Sequence, residues 1–267
     1  MLDLSNLEQI RMGGTSKGNQ IKFYHNGYWI KLDNQYCSEG LAEEFVGLFC
    51  DCIYDLSHVV YHTERYLYKD NEYTGCFSYN MYDDLSVSFV SMRKLFNTFG
   101  IPINTFFLKD AKTNIVNVAN IVEQYTGINV YNYFRQLVLL DALILNEDRH
   151  YMNMGLCMKN NKFMLAPVFD NGSSLFCVNW IYRKSKSLDE NINSAKSVAR
   201  PFSKFYDNQV NAILELGGQP LKIDKNKLTY LLNHYHNELY SDEMNQRIKD
   251  VLKLRLDYYV GRAFVYV

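Results

Sequence analysis

Residues 140–176 read LDALILNEDRHYMNMGLCMKNNKFMLAPVFDNGSSLF, and the spacing inside that stretch decides how the rest of the chain is read. Asp148 precedes Asn153 by five positions; two short apolar runs follow around Asn160-Asn161, and then comes Asp170-Asn171-Gly172. An Asp five residues before an Asn, with a second Asp in an Asp-x-Gly triplet behind a hairpin, is the order of a phosphoryl-transfer site. The reason is mechanical. A loop leaving the helical pattern of Phe134 to Leu145 presents Asp148 to a substrate hydroxyl, and five irregular residues bring Asn153 round to the phosphates. A hairpin of Met154–Met158 and Phe163–Phe169 then returns Asp170 beside it. Such chemistry asks the protein mainly for positioning, one base and oxygen ligands for Mg²⁺. Gly172 is expected to let the chain turn after the ligand.

The runs NEDRHYMNMG and APVFDNGSSL resemble the HipA-like kinase family, serine/threonine kinases related in fold to the phosphoinositide 3-kinases. The usual His-Arg-Asp order of ordinary protein kinases is absent. The resemblance implies an α+β, two-lobed protein-kinase-like fold: a small antiparallel-sheet lobe over residues 1–80 and a helical lobe over residues 81–267, with ATP and Mg²⁺ between them. Asp148 is then the base, flanked by Arg149 and His150 in positioning roles, and Asn153 and Asp170 are the metal ligands.

Composition is compatible with that reading. The chain has 267 residues, 48% of them hydrophobic, enough for one large domain or two lobes with a real core. A net charge of −1 gives no global basic field to recruit nucleic acid or an anionic membrane. Cys37, Cys50, Cys52, Cys76, Cys157 and Cys177 show no paired metal-ligand spacing and suit reduced, buried thiols. The first residues, MLDLSNLEQIRMGG, lack a signal-peptide pattern, and no run approaches 18 apolar residues. A cytoplasmic protein is expected, which leaves open export by a route without a signal peptide.

Before the catalytic stretch, Gly13, Gly14 and Gly18 surround Thr15 and Ser16 in a polar loop whose backbone amides could cover nucleotide phosphates, although it is not a P-loop. A hairpin follows across Asn26-Gly27 and carries Lys22 and Lys31, of which Lys31, set among Trp29, Ile30 and Leu32, better matches a phosphate-binding strand lysine. The segment EGLAEEF opens a helix on which Glu43 and Glu44, about 100° apart, cannot both face the strand lysine, and the resemblance assigns its carboxylate partner to Glu43. Residues 58–68 and 72–81 read as two strands, and the chain is expected to cross between lobes near Phe77 to Asp83. From Val87 the period turns helical, with Phe89, Met92, Leu95, Phe96 and Phe99 on one face. Further helices are expected at 115–125, 130–145, 228–235 and 244–259, Asp141 reads as a buried polar anchor, and 185–200 reads as a polar substrate-side loop.

These readings imply a protein substrate, and the family adds an antitoxin or regulatory partner. A lipid or small-molecule kinase, or a nucleotide-binding pseudokinase, uses the same loop. The family resemblance also implies self-silencing by phosphorylation of the glycine loop, because a phosphate on Thr15 or Ser16 adds roughly −1.5 to −2 charges beside those of the nucleotide. Mass spectrometry after incubation with Mg-ATP is expected to find that loop modified in the wild type and unmodified in Asp148→Asn. An unmodified loop in an active enzyme rejects the idea.

Overall fold

Asn26 and Gly27 both take positive φ, 49° and 86°, the primed-turn geometry that matches the twist of a two-residue hairpin. They join β2 (Lys22–His25) to β3 (Tyr28–Leu32). Lys69 and Asp70, at 51° and 61°, do the same for β4 (Tyr61–Tyr68) and β5 (Asn71–Tyr79). With β1 (Leu2–Asp3) these strands form one sheet in the order β1-β4-β5-β3-β2, antiparallel except for the parallel β1–β4 pair. This computed structural model describes residues 1–10, 20–82, 86–103, 110–178, 183 and 185–267.

One helix, α1 (Glu39–Cys50), lies against the sheet, and two glycines set how closely. A Cβ on Gly75 would fall 2.2 Å from the Lys31 carbonyl oxygen, and one on Gly40 would fall 3.0 Å from the Gly75 carbonyl carbon. The bare backbone at both positions brings the strand of Lys31 and the helix of Glu43 together.

Beyond the sheet the chain becomes mostly helical: α2 (Met92–Thr98), α3 (Ala111–Thr126), α4 (Tyr131–Ile144), α5 (Leu188–Ser194), α6 (Tyr206–Glu215), α7 (Lys225–His234) and α8 (Asp242–Tyr259). Helix α4 is the core of this region. Its residues from Gln136 to Ile144 are all buried, and it packs against α3, α6 and α8. A three-stranded sheet, β6 (Ser88–Ser91), β7 (Gly155–Lys159) and β8 (Lys162–Leu165), carries the central hairpin, while β9 (Leu221–Ile223) pairs in parallel with β10 (Phe264–Tyr266). The mixed α+β architecture, sheet first and helices after, is the one expected. Among the described residues no helix is long and apolar enough to cross a membrane.

Three local expectations are corrected and a fourth is refined. Phe89 belongs to β6, paired opposite Cys157, and the helix begins only at Met92 after Ser91 caps it by accepting from the Lys94 amide. Pairing with β7 outweighs the helical period there. Segment 185–200 contains α5, started by a capping box in which Ser187 and Glu190 satisfy each other's backbone amides. The central hairpin is shorter than read. It turns on Asn160 and Asn161, at φ 50° and 60°, and β8 stops at Leu165. Finally, the chain turns at Gly172 as expected but without positive φ there; the first positive φ after the hairpin is that of Asp170, 56°, and Gly172 also lets α1 approach, since a Cβ there would meet that of Glu39 at 3.0 Å.

Gly75→Ala is expected to cost about 1–3 kcal/mol or more by forcing β5 off β3, read as a lower urea midpoint at unchanged m-value.

Candidate active site

The strand register places Lys22 directly opposite Lys31, so both side chains leave the same face of the sheet. The Lys31 ammonium lies 2.5 Å from Glu43 Oε1 on α1 and 2.6 Å from Asp170 Oδ1. Three residues spread over most of the chain therefore meet at one cation. Burial works against the Lys31 charge, but Asp170 and Glu43 outweigh it and hold the ammonium well above the usual lysine range. Burial likewise opposes the Asp170 carboxylate, yet Lys31 and then Lys22 overcome this and hold it well below the usual range, so it stays ionised. Burial pushes the Glu43 carboxyl up, and Lys31 offsets that only in part. The ammonium is thus shared between the two carboxylates, of which Asp170 is the more exposed, with 26% of its side-chain surface open against 1% for Glu43.

Asp170 reaches Lys31 because the chain changes partners after β8. The Val168 amide donates to the Ser57 carbonyl at 2.8 Å, and the Val168 carbonyl accepts from the Val59 amide at 2.8 Å, which carries Phe169 and Asp170 toward the five-stranded sheet. The Asp170 amide then donates to the Tyr61 hydroxyl at 3.4 Å, and the Asn171 amide donates to Glu43 Oε2 at 2.8 Å.

On the other side of Asp170, Arg149 is almost wholly buried, at 1% exposure. It binds Asp141 on α4 at 3.0 Å and donates to the carbonyls of Asn153 at 3.1 Å and Phe169 at 2.6 Å, and to Asn171 Oδ1 at 2.6 Å. Arg149 therefore ties the 148–153 loop to the Asp170 segment from inside and does not face a substrate; Asp141 is its anchor. Tyr206 and Tyr151, both buried, donate to the carbonyls of Asn146 and Pro201 at 2.8 and 2.6 Å and fix the same loop from below.

At the loop's surface, the Asp148 amide donates to Asn146 Oδ1 at 3.0 Å, while its carboxylate has 39% of its surface open to solvent and lies 3.7 Å from His150 Nε2. Asn153 is 8% exposed, and its amide nitrogen donates to the Asp148 carbonyl at 3.1 Å. Gly14, Thr15, Ser16 and Gly18, and the expectation about their loop, lie outside the described residues.

Three participants carry no sequence signal of their own. Tyr61 looks like any strand tyrosine. Asp33, buried at 6%, accepts from the Gly40 amide at 2.8 Å and from Tyr240 at 2.7 Å, and so fastens the start of α1. Glu39 looks like a first-turn helix acid, yet burial, set against Lys31 and reinforced by Asp170, raises its carboxyl from 4.5 to about 7. Asp170 and Asn153 offer hard oxygens of the kind that suit Mg²⁺. Among the described residues, no group of three or more His, Cys, Asp or Glu is placed to hold a metal.

No known family profile matches this chain, and no curated protein does either. Among solved structures it is similar to the Helicobacter pylori proinflammatory kinase CtkA, with 20% identity over 98% of this chain and 96% of that one at a TM-score of 0.64. It is also similar to HipA of the Shewanella oneidensis MR-1 toxin–antitoxin complex with HipB and operator DNA, with 10% identity over 93% of this chain and 66% of that one at a TM-score of 0.52. At these identities the likeness establishes a kinase-like fold.

Because Glu39 holds its proton to higher pH when folded than when unfolded, the folded state binds more protons between pH 4.5 and about 7, and stability falls as pH rises through that window. Glu39→Gln is expected to remove this fall. Thermal melts across the window should show the variant gaining on the wild type toward pH 7, and parallel curves would refute the assignment.

Proposed function

We propose that this chain is an ATP- and Mg²⁺-dependent protein serine/threonine kinase of HipA-like type, with the division between lobes near residue 80. The observation that carries the reading is the Lys31 ammonium held between Glu43 at 2.5 Å and Asp170 at 2.6 Å. A strand lysine locked to a helix glutamate beside a metal-ligand aspartate is the arrangement that active kinases must complete.

In this reading Lys31 steadies the nucleotide phosphates, and Lys22, opposite it, adds positive charge to the same face. Asp170 and Asn153 would hold Mg²⁺, which would supply positive charge against that of the phosphates. Asp148 orients the acceptor hydroxyl and takes its proton, a role its open carboxylate suits. His150 orients Asp148. Arg149 is a positioning residue that keeps Asp148, Asn153 and Asp170 in one frame. Thr15 or Ser16 accepts phosphate in self-silencing, a protein is the substrate, and an antitoxin-like or regulatory partner restrains the enzyme.

Asp148→Asn is expected to lower transfer by about 10²–10⁴-fold while leaving ATP affinity unchanged, whereas Asp170→Asn loses Mg²⁺-dependent ATP binding as well. Labelled ATP with a host-cell lysate reads the first and calorimetry the second. Equal turnover by wild type and Asp148→Asn sinks the assignment. Label in lipid rather than protein identifies a lipid kinase, and nucleotide binding without transfer identifies a pseudokinase.

A further inference from the structure

Trp29 stands two residues before Lys31 on β3, so its side chain leaves the same face of the sheet, roughly 7 Å further along the strand. The register puts Tyr24 and Ser78 on either side of it, and Tyr61 beyond Ser78, in a single cross-strand row. Tyr61 is the residue that meets the Asp170 amide at 3.4 Å, so this row continues the wall of the candidate site away from the phosphate-binding lysine. At its far end the indole N–H donates to Asn80 Oδ1 at 2.8 Å, and Asn80 donates in turn to the Tyr24 hydroxyl at 3.1 Å. Asn80 follows the last residue of β5, and two residues later Tyr82 already bonds to Leu165 of β8 at 3.0 Å. The indole therefore lies where the chain crosses from the sheet to the central hairpin, half-buried, with its plane held by Asn80 and by the Tyr24 ring at 5.1 Å.

Trp29 is not part of the apolar cluster on the other face of the sheet. The apolar cluster of Leu4, Phe23, Ile30, Leu32, Tyr66 and Tyr68 includes the alternate residues Ile30 and Leu32 of the same strand, which point to the opposite face. A large aromatic surface fixed in orientation but left half-open, one short step from a buried phosphate-type lysine, suits a flat aromatic ligand.

We propose that the Trp29 indole is the platform on which the nucleotide base stacks, held in register by Asn80 and Tyr24. The proposal rests on the nucleotide reading above and adds the base-binding residue to it. Stacking of a base on an aromatic ring strengthens binding by roughly 5- to 100-fold relative to alanine.

The test uses the full chain and two probes, ATP and inorganic tripolyphosphate, which shares the phosphates but has no base. The chain has two tryptophans, so Trp180→Phe leaves Trp29 as the only indole emitter. ATP is expected to quench that emission saturably, and tripolyphosphate to bind without quenching. By calorimetry Trp29→Ala should lose roughly 5- to 100-fold in ATP affinity, with tripolyphosphate affinity unchanged and Trp29→Phe close to wild type. ATP binding with unchanged emission, or equal ATP affinity in Trp29→Ala and wild type, overturns the stacking role while leaving the kinase reading intact. Loss of tripolyphosphate along with ATP in Trp29→Ala overturns it in favour of a structural role. If wild type binds neither probe, the nucleotide reading fails and the proposal falls with it.

Discussion

A single ammonium, that of Lys31, is shared between a carboxylate of α1 and that of Asp170, which lies 139 residues after the lysine in the chain. All three groups are largely withdrawn from water, and removing one partner of such a set leaves an uncompensated buried charge, at a cost of about 3–5 kcal/mol. Sheet, helix and hairpin exit are thereby made interdependent. Arg149 does the corresponding work from the helical side, where it grips Asp141 and the carbonyls on both sides of the candidate site. Asp170 consequently lies among three cations, Lys31 and Lys22 from the sheet and Arg149 from the loop, and its backbone is held in a left-handed conformation there.

Helix α1 is the part on which the two regions agree. Its first turn is fastened by Asp33, which also receives the Tyr240 hydroxyl, and its third acid, Glu44, accepts from the Thr63 amide at 2.8 Å, from Tyr235 at 2.9 Å and from Asn237 at 2.6 Å. The adjacent glutamates thus divide their work by direction. Glu43 points at Lys31, and Glu44 joins the sheet to the segment between α7 and α8, as residues about 100° apart on a helix must. Late parts of the sequence therefore help decide where the glutamate of the ion pair stands.

Much of this was legible locally. Asn26-Gly27 and Asn160-Asn161 specify hairpins because residues that tolerate positive φ are needed at both central positions, and the structure has it at each. Spacing marked out Asp148, Asn153 and Asp170, and strand context marked out Lys31, because these are properties of neighbours in sequence; Glu43 was picked over Glu44 by family resemblance. What escaped was non-local. Phe89 fits a helical period, but its partner Cys157 lies 68 residues away, and that pairing made it a strand. Leu188–Ser194 escaped for a different reason, since Ser187 and Glu190 are a local start signal overlooked in a polar stretch.

The sequence by itself determined the hairpin turns, a short roster of charged residues and the order of sheet before helices, since each depends on the conformational preferences of a few adjacent residues. Tertiary structure alone decided that Lys31 holds Asp170 as well as Glu43, and that Arg149 is a buried tie. It also decided that Gly172 answers to the approach of α1 and that Glu39 titrates near neutrality, its carboxyl raised to about 7. Those outcomes depend on how much water remains around a charge and which distant charge replaces it, and both are set only when the chain has closed.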